Sequence, residues 1–180
     1  MSYIIRRFLP DTDVSKPFDC GNSDLNDFWV ESSAKTPNAS LFQKEHLSVT
    51  YLVEDVQSGV VMAYFSLLND KIERAVSDPK VWNKLSRHIP NPKRRSSYPA
   101  LKVGRLAVSN AAQRSGLGKM ILTFLQIWYY QNTPSGCRYL TVDALRESVD
   151  FYQKCHFSPL VDPDPDDDTV LMFFDLMELD

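Results

Sequence analysis

The stretch that most constrains the fold is a glycine-bearing loop between a strand and the clearest helix of the chain. The strand is predicted over 101–108, the loop reads Gln-Arg-Ser-Gly-Leu-Gly-Lys over 113–119, and the helix spans 117–131. Apolar residues recur in that helix at spacings of three and four, so they form one stripe. They are Leu117, Met120, Ile121, Phe124, Leu125 and Trp128. A strand follows over 138–145, and this alternation predicts an α/β layer with a parallel crossover.

The chemistry of this loop points to a diphosphate ligand. The first turn of a helix has backbone N–H groups without partners and the positive end of the helix dipole. Gly116 and Gly118 remove side chains there, so phosphate oxygens can approach the backbone. Arg114 and Lys119 add positive charge.

Two common glycine motifs do not fit this loop. A Walker A loop needs Gly where Gln113 stands and Ser or Thr where Met120 stands. A dinucleotide-binding fingerprint needs a third Gly where Ile121 stands. The remaining pattern is Gln-x-x-Gly-x-Gly.

That pattern, from Gln113 to Gly118, resembles the pyrophosphate loop of the GNAT superfamily of N-acetyltransferases. The preceding Arg-Leu-Ala-Val over 105–108 and the later Phe-Tyr-Gln-Lys-Cys-His-Phe over 151–157 resemble two further segments of that family. His156 occupies a position where the family usually has Gly, so the turn after the short helix is expected to differ. The resemblance implies a mixed central sheet with splayed parallel strands, flanked by helices.

The resemblance also implies acetyl-CoA as cosubstrate, no metal, and a backbone-lined cofactor site. The implied cofactor-binding residues are Leu106, Ala107, Val108, Gln113, Arg114, Ser115, Gly116, Leu117, Gly118 and Lys119. An amine would attack the thioester, the amide near Val108 would stabilise the oxyanion, and Tyr152 would protonate the leaving thiolate as general acid. A general base is not assigned among the carboxylates near the strands, which are Glu45, Glu54, Asp70 and Asp143.

A second resemblance concerns the acceptor. The run Phe-Asp-Cys-Gly-Asn-Ser-Asp-Leu-Asn-Asp-Phe over 18–28 is similar to the start of a GNAT branch that includes toxins acetylating the amino acid on charged tRNA. This implies charged tRNA as one acceptor, a small-molecule or protein amine as another, an antitoxin on a separate chain, and a homodimer. Basic residues at 93–95, with Lys102 and Arg105, are the sequence's hint of an RNA surface. The competing function is a non-catalytic module that binds acyl-CoA.

Length and composition predict one domain over 1–180. Hydrophobic residues make up 43% and charged residues 24%, with a net charge of −3, which argues against nucleic-acid binding by bulk charge. Three cysteines without CxxC spacing predict reduced thiols in a cytoplasmic protein, and no apolar stretch reaches the ~20 residues of a membrane span. Further strands are predicted over 3–8, 47–54, 60–68 and 169–177, helices over 25–33, 81–85 and 147–154, and loops over 91–99 and 162–168.

Overall fold

The computed structural model describes residues 2–13, 16–29, 38–132 and 135–179. Within these ranges there are seven strands and five α-helices. The strands are β1 (Tyr3–Arg7), β2 (Val49–Asp55), β3 (Val61–Glu73), β4 (Ser97–Val108), β5 (Tyr139–Leu145), β6 (Ser158–Pro159) and β7 (Thr169–Asp175). The helices are α1 (Ser23–Trp29), α2 (Asn38–Lys44), α3 (Pro79–Leu85), α4 (Leu117–Asn132) and α5 (Val149–Lys154).

The strands form one mixed sheet in the order β1-β2-β3-β4-β5-β7-β6. β1 pairs antiparallel with β2, β2 with β3, and β7 with both β5 and β6. β4 and β5 are parallel, as expected for two strands joined by a helical crossover. Their pairing covers only Ala100 to Lys102 on β4, whereas β4 continues to Val108. The expected mixed sheet flanked by helices is therefore confirmed.

The chain divides into two compact units by its internal contacts. Residues 1–68 with 103–121 form the first, and residues 69–102 with 122–180 form the second, so β3, β4 and α4 run through both. The first unit has a core rich in aromatic residues, built from Phe8, Cys20, Phe28, Trp29, Ala39, Leu52, Val61, Tyr64 and Ala107. The second has its own core of Ile72, Trp82, Leu85, Tyr98, Ala100, Tyr139, Leu160 and Phe173. One domain over 1–180 stays a prediction.

Helix ends follow local hydrogen bonding more closely than the sequence pattern suggested. α1 begins at Ser23, and the side chain of Asn22 accepts the amide of Leu25 over 3.1 Å, so Asn22 caps the helix. The last four residues of the helix predicted over 25–33 lie outside the described residues. α3 begins where Asp78 accepts the amide of Lys80 over 2.7 Å and Pro79 takes the first helical position.

Two strands are longer than predicted, and two elements were missed. β3 runs on to Glu73, and β4 begins at Ser97 inside the expected loop over 91–99. α2 and the two-residue β6 had no sequence prediction. The three cysteines are free. In the part of the chain that the structure describes, no helix is long and apolar enough to cross a membrane.

Candidate active site

The loop before α4 leaves its amides open to a ligand. Gly116 has φ of 87°, a left-handed conformation natural to glycine, and Arg114 has φ of 61°. The first bond of α4 runs from the amide of Met120 to the carbonyl of Gly116, over 3.0 Å. Within the described ranges, the amides of Leu117, Gly118 and Lys119 donate to no acceptor, as expected for a first helical turn. Amides without acceptors at a helix start can bind an anion; that this loop does so stays a prediction.

Side chains around the loop divide into those that hold it and those that stay exposed. The hydroxyl of Ser115 donates to the carbonyl of Ala112 over 2.6 Å, so it closes the turn. Arg114 and Lys119 are exposed and form no ion pair with a described residue. Their charges are therefore available to a ligand at the amides.

Gln113 is exposed, but its side-chain amide is hydrogen-bonded to the protein. Its side-chain nitrogen donates to the carbonyl of Cys20 over 2.7 Å and to that of Val108 over 3.1 Å. Its backbone amide donates to the carbonyl of Ser109 over 3.0 Å. Gln113 thus ties the end of β4 to the segment before α1, which fixes the start of the loop.

The segment 18–28 completes this brace through Asp19. One carboxylate oxygen of Asp19 accepts the amide of Gly21 over 2.8 Å and the side chain of Asn26 over 2.7 Å. The other accepts the side chain of Asn110 over 2.9 Å. Gly21 has φ of 80°, and a Cβ there would lie 3.1 Å from Asn110 Oδ1. The motif similar to the toxin branch therefore has a structural role beside the loop.

The end of β4 offers backbone groups for an added strand. Ser109 donates its amide to the carbonyl of Met62 on β3 over 2.9 Å. Successive residues of a strand point their N–H and C=O groups to opposite edges, so Val108 and Leu106 face the edge away from β3. β4 has no pairing with β5 beyond Lys102. Ala107, between them, buries its side chain in the core of its unit.

Tyr152 lies in the second compact unit, near the end of α5. Its side chain is buried, with the ring in edge contact with Phe151 at 5.1 Å and Phe157 at 5.6 Å. Burial, with a smaller contribution from Cys155, raises the pKa of the Tyr152 hydroxyl well above its usual range. Within the described residues the Tyr152 hydroxyl has no hydrogen-bond partner. Although the ring is buried, the hydroxyl oxygen itself is not completely enclosed. The phenol therefore keeps its proton at neutral pH.

The turn after α5 brings Phe157 into contact with Tyr152. The amide of Phe157 donates to the carbonyl of Tyr152 over 3.0 Å, and that of His156 to the carbonyl of Gln153 over 2.9 Å. These two bonds form a Schellman motif, in which the apolar contact between Phe157 and Tyr152 is typical. His156 has φ of 69° at the position that favours glycine. The expected departure at this turn is therefore absent, because His156 adopts the left-handed conformation itself.

Glu54, one of the four carboxylates considered as general base, is fully engaged. Its two oxygens accept from the guanidinium of Arg6 over 2.8 Å and 2.6 Å, and one of them also pairs with Lys16. The hydrogen bond from Arg6 holds the pKa of Glu54 below its usual range, despite burial. A carboxylate bound in this way is a structural ion pair and a poor base.

Asp70 and Asp143, two further carboxylates considered as general base, lie in the second unit. Asp70 accepts the hydroxyl of Thr141 over 2.5 Å, and Asp143 pairs with Lys102 over 2.5 Å. Lys102 and Thr141 are the last paired residues of β4 and β5, so both carboxylates lie where these strands part. Glu45 is exposed in a turn after α2.

One signal in the sequence was missed. Between positions 79 and 142 the chain has no Asp or Glu but has eleven basic residues. These are Lys80, Lys84, Arg87, Lys93, Arg94, Arg95, Lys102, Arg105, Arg114, Lys119 and Arg138. The net charge of −3 for the whole chain conceals this uneven distribution of charge along the sequence. The distribution matters because nucleic acid is bound by the local concentration of basic side chains. Among the described residues, no group of three or more His, Cys, Asp or Glu side chains is placed to hold a metal ion.

Comparison with known families and structures adds to this geometry. Residues 91–173 match the family described as an acetyltransferase (GNAT) domain. Over these residues the chain is similar to a GNAT acetyltransferase domain. That match spans β4, α4, β5 and α5, and so includes the loop and Tyr152. The predicted GNAT relationship and the predicted enzyme class, an N-acetyltransferase, are confirmed.

Solved structures with the same fold as this chain include proteins described as toxins. AtaT complexed with acetyl-methionyl-tRNAfMet is 23% identical, with a TM-score of 0.75 over 99% of this chain and 97% of that one. A mutant of KacT is 21% identical, with a TM-score of 0.76 over 99% and 98%. A mutant AtaT toxin bound to the C-terminus of the antitoxin AtaR and acetyl-CoA is 20% identical, with a TM-score of 0.72 over 98% and 95%. These likenesses show the fold. A comparison with curated protein sequences finds no match.

Proposed function

We propose that the chain transfers the acetyl group of acetyl-CoA to a primary amine, with Tyr152 as the general acid. The observation that carries this proposal is the row of open amides at Leu117, Gly118 and Lys119, at the end of a β-strand whose parallel partner leaves it early. A pyrophosphate fits the amides, and an extended pantetheine arm fits the open strand edge. A solved AtaT structure with acetyl-CoA, of the same fold, supports this choice of cosubstrate.

The cofactor is held mainly by backbone groups in this proposal. The amides from Arg114 to Lys119, with the two exposed basic side chains, take the pyrophosphate. The arm bonds as an added strand to Leu106 and Val108, whose N–H and C=O groups face the unpaired edge of β4. Ala107 spaces these two residues, and Gln113 and Ser115 hold the loop in shape.

The chemical step needs an oxyanion donor and an acid. The neutral amine attacks the thioester carbonyl, a C–N bond forms, and the amide of Val108 stabilises the oxyanion. The C–S bond then breaks, and the thiolate takes the phenolic proton of Tyr152. The attacking nitrogen, cationic after addition, releases one proton to solvent, and solvent returns one to the tyrosinate. Burial keeps that phenol protonated, so the acid is in its active form across the physiological pH range.

For the acceptor, we propose the α-amino group of an aminoacyl-tRNA. AtaT, which has the same fold, has been solved with an acetylated methionyl-tRNA. The basic segment over 79–142 gives this chain a cationic region despite its net charge. An α-amine has a pKa near ~8, against ~10.4 for lysine, so it needs little help from a base. That fits a site in which no carboxylate is committed to this task.

A protein antitoxin is the partner that follows from the same comparison. AtaT has been solved with the C-terminus of its antitoxin AtaR. By analogy, we propose that a separate chain inhibits this enzyme. A homodimer stays a prediction.

The first test is thermal unfolding of the full chain with acetyl-CoA, with ATP and NAD as controls. Acetyl-CoA at 100 times its Kd should stabilise the fold by about 2.7 kcal/mol, which raises Tm by roughly 5–11 °C for a chain of this size. No shift at saturating acetyl-CoA would contradict the cofactor assignment.

The second test separates an enzyme from a module that only binds acyl-CoA. We expect Tyr152→Phe to lower kcat for methionyl-tRNA at least about 100-fold, with acetyl-CoA affinity retained. Phe151→Leu is the matched control, because it alters the neighbouring ring and leaves the phenol. Absence of turnover in the wild type would favour the binding module, and an unchanged kcat in Tyr152→Phe would reject that residue as the acid.

A further inference from the structure

A cavity of about 680 Å³ opens in the second compact unit, away from the residues assigned above. It lies where β4 and β5 begin and where α4 ends. Aromatic side chains of Tyr98, Tyr129 and Tyr130 line it, and its volume lies in the range of small-molecule sites. Tyr98 is nearly fully buried and stacks on Trp82 at 4.9 Å, so this wall is rigid, whereas Tyr130 is 40% exposed.

The charged side chains around this cavity are cationic. They are Arg95 and Arg138, His88 also contributes to the lining, and the described lining residues include no carboxylate. Arg138 is held by two hydrogen bonds to Asp175, over 2.9 Å and 2.7 Å, and lies 5.3 Å from the ring centre of Tyr139. Arg95 is exposed and forms no ion pair with a described residue. One fixed and one open guanidinium thus border an aromatic cavity.

The surroundings extend this positive charge. α3 and the residues that follow it contribute exposed basic side chains, with no acidic residue in the sequence between 79 and 142. They are Lys80, Lys84, Arg87, Lys93 and Arg94. Aromatic walls beside a run of basic side chains are the features by which proteins take unpaired nucleotides, through base stacking and phosphate contacts.

We propose that this cavity binds an unpaired nucleotide of the RNA that carries the acceptor amine. The inference rests on the proposed aminoacyl-tRNA acceptor and adds a second contact, outside the acetyl-transfer site. The base stacks on the exposed Tyr130 beside the half-buried Tyr129, and Arg95 takes a phosphate. The basic surface favours RNA over an acidic peptide because it continues well beyond the cavity, as a phosphate backbone does.

The test measures RNA binding by fluorescence anisotropy with two probes, methionyl-tRNA and a single-stranded RNA of about eight nucleotides. We expect Tyr130→Ala to raise the Kd at least about fivefold for both probes, because stacking contributes at this level per base. Arg95→Ala should weaken binding and reduce the slope of log K against log salt by about one. Ile127→Ala, at an exposed position on the same helix outside the cavity, and Lys154→Ala on α5 are matched controls.

Each outcome decides. Reduced affinity in Tyr130→Ala and Arg95→Ala with unchanged controls supports the cavity. Unchanged RNA affinity in both variants overturns it, and so does an equal loss in Ile127→Ala. A peptide rich in Glu and Leu is tested as a competitor. If the peptide binds the cavity and displaces neither RNA probe, the cavity belongs to a protein partner instead. The acetyl-CoA thermal shift is measured on the same variants; its absence in the wild type would reject the proposed function, whereas RNA binding alone decides the cavity.

Discussion

The side-chain amide of Gln113 joins the loop before α4 to the carbonyl of Cys20, at 2.7 Å, across 93 positions of sequence. The same nitrogen reaches the carbonyl of Val108 at 3.1 Å. The glutamine that opens the Gln-x-x-Gly-x-Gly pattern therefore holds the loop before α4 in shape. The segment 18–28 provides the other side of this brace.

Removing the brace should weaken cofactor binding more than it weakens the fold. We expect Gln113→Ala to cost about 1–2 kcal/mol of unfolding free energy, because two carbonyls lose a donor. The KM for acetyl-CoA should rise several-fold while kcat at saturation changes little. Gln131→Ala, an exposed glutamine at the end of α4, is the control for steady-state kinetics and thermal unfolding. A fall in kcat with an unchanged KM in Gln113→Ala would contradict this role.

A substitution at Gly116 also allows the effect on stability to be measured separately from the effect on acetyl-CoA binding. An added Cβ at Gly116 meets no atom within 4 Å, so Gly116→Ala is penalised only through its φ of 87°. We expect a loss of about 1–2 kcal/mol, which is roughly 2–8 °C in Tm. Gly59→Ala is a matched control, with φ of 68° and equally open space. Both variants should lose similar stability, and only Gly116→Ala should lose acetyl-CoA affinity by calorimetry; an equal loss in Gly59→Ala would rule out a specific effect at the loop.

The turn after α5 should respond to how well each residue tolerates a left-handed backbone. We expect the order of stability at position 156 to be Gly, then His, then Val, because a β-branched residue is strained at φ of 69°. His156→Gly should change the unfolding free energy by less than about 1 kcal/mol, and His156→Val should lower it by more. The Val variant should also lower kcat, since Phe157 and Tyr152 pack through this turn. Lys154→Val, on the helix before it, shows the effect of a β-branched residue without the strained φ.

The sequence predicted the parts of this molecule that depend on local pattern. The strand before α4 and the open amides follow from residue spacing and from glycine at a helix start. Three members of the predicted α4 stripe, Leu117, Ile121 and Leu125, are buried. Met120 is exposed, so its place in that stripe was wrong. Partners distant in sequence were not predictable in this way. Nothing near Gln113 indicates that its side chain reaches Cys20, and nothing near Glu54 indicates that Arg6 binds it.

Other elements failed for identifiable physical reasons. The strand start at Ser97 was missed because prolines and three basic residues precede it, and these are typical of loops. His156 was read as a departure because glycine is the usual residue at a left-handed position, although histidine is enriched there among other residues. The charge partition over 79–142 was hidden by averaging over the whole chain.

Stability should fall on the acidic side through the ion pairs of Glu54 and Asp13. Hydrogen bonds from Arg6 are the largest influence on Glu54 and lower its pKa. At Asp13 burial is the largest single influence and raises the pKa, but the hydrogen bonds from Arg6 and from the amide of Leu9, with the charges of Arg6 and Lys16, together lower it. A lowered pKa in the folded state gives stability that is present above the unfolded value, near ~4, and is lost as pH falls through the folded value. We expect Tm to drop below about pH 4.5, and Glu54→Gln to show a smaller drop from a lower starting Tm. An unchanged acid limb in Glu54→Gln would contradict this assignment.

The raised pKa of Tyr152 predicts the alkaline side of the rate profile. An essential acid is active below its pKa, and burial moves that of Tyr152 above the usual ~10. The profile of kcat for methionyl-tRNA should therefore stay level from about pH 8 to at least about pH 9.5, above the pKa of the α-amine. On the acidic side kcat/KM should fall as the amine gains its proton. Stopped-flow detection of free thiol measures both limbs, with acetyl-CoA saturating. Since Tyr152→Phe removes the phenol, its residual rate should have the same acidic limb. A wild-type alkaline limb near or below about pH 10 that vanished in this variant would contradict the raised pKa of the hydroxyl.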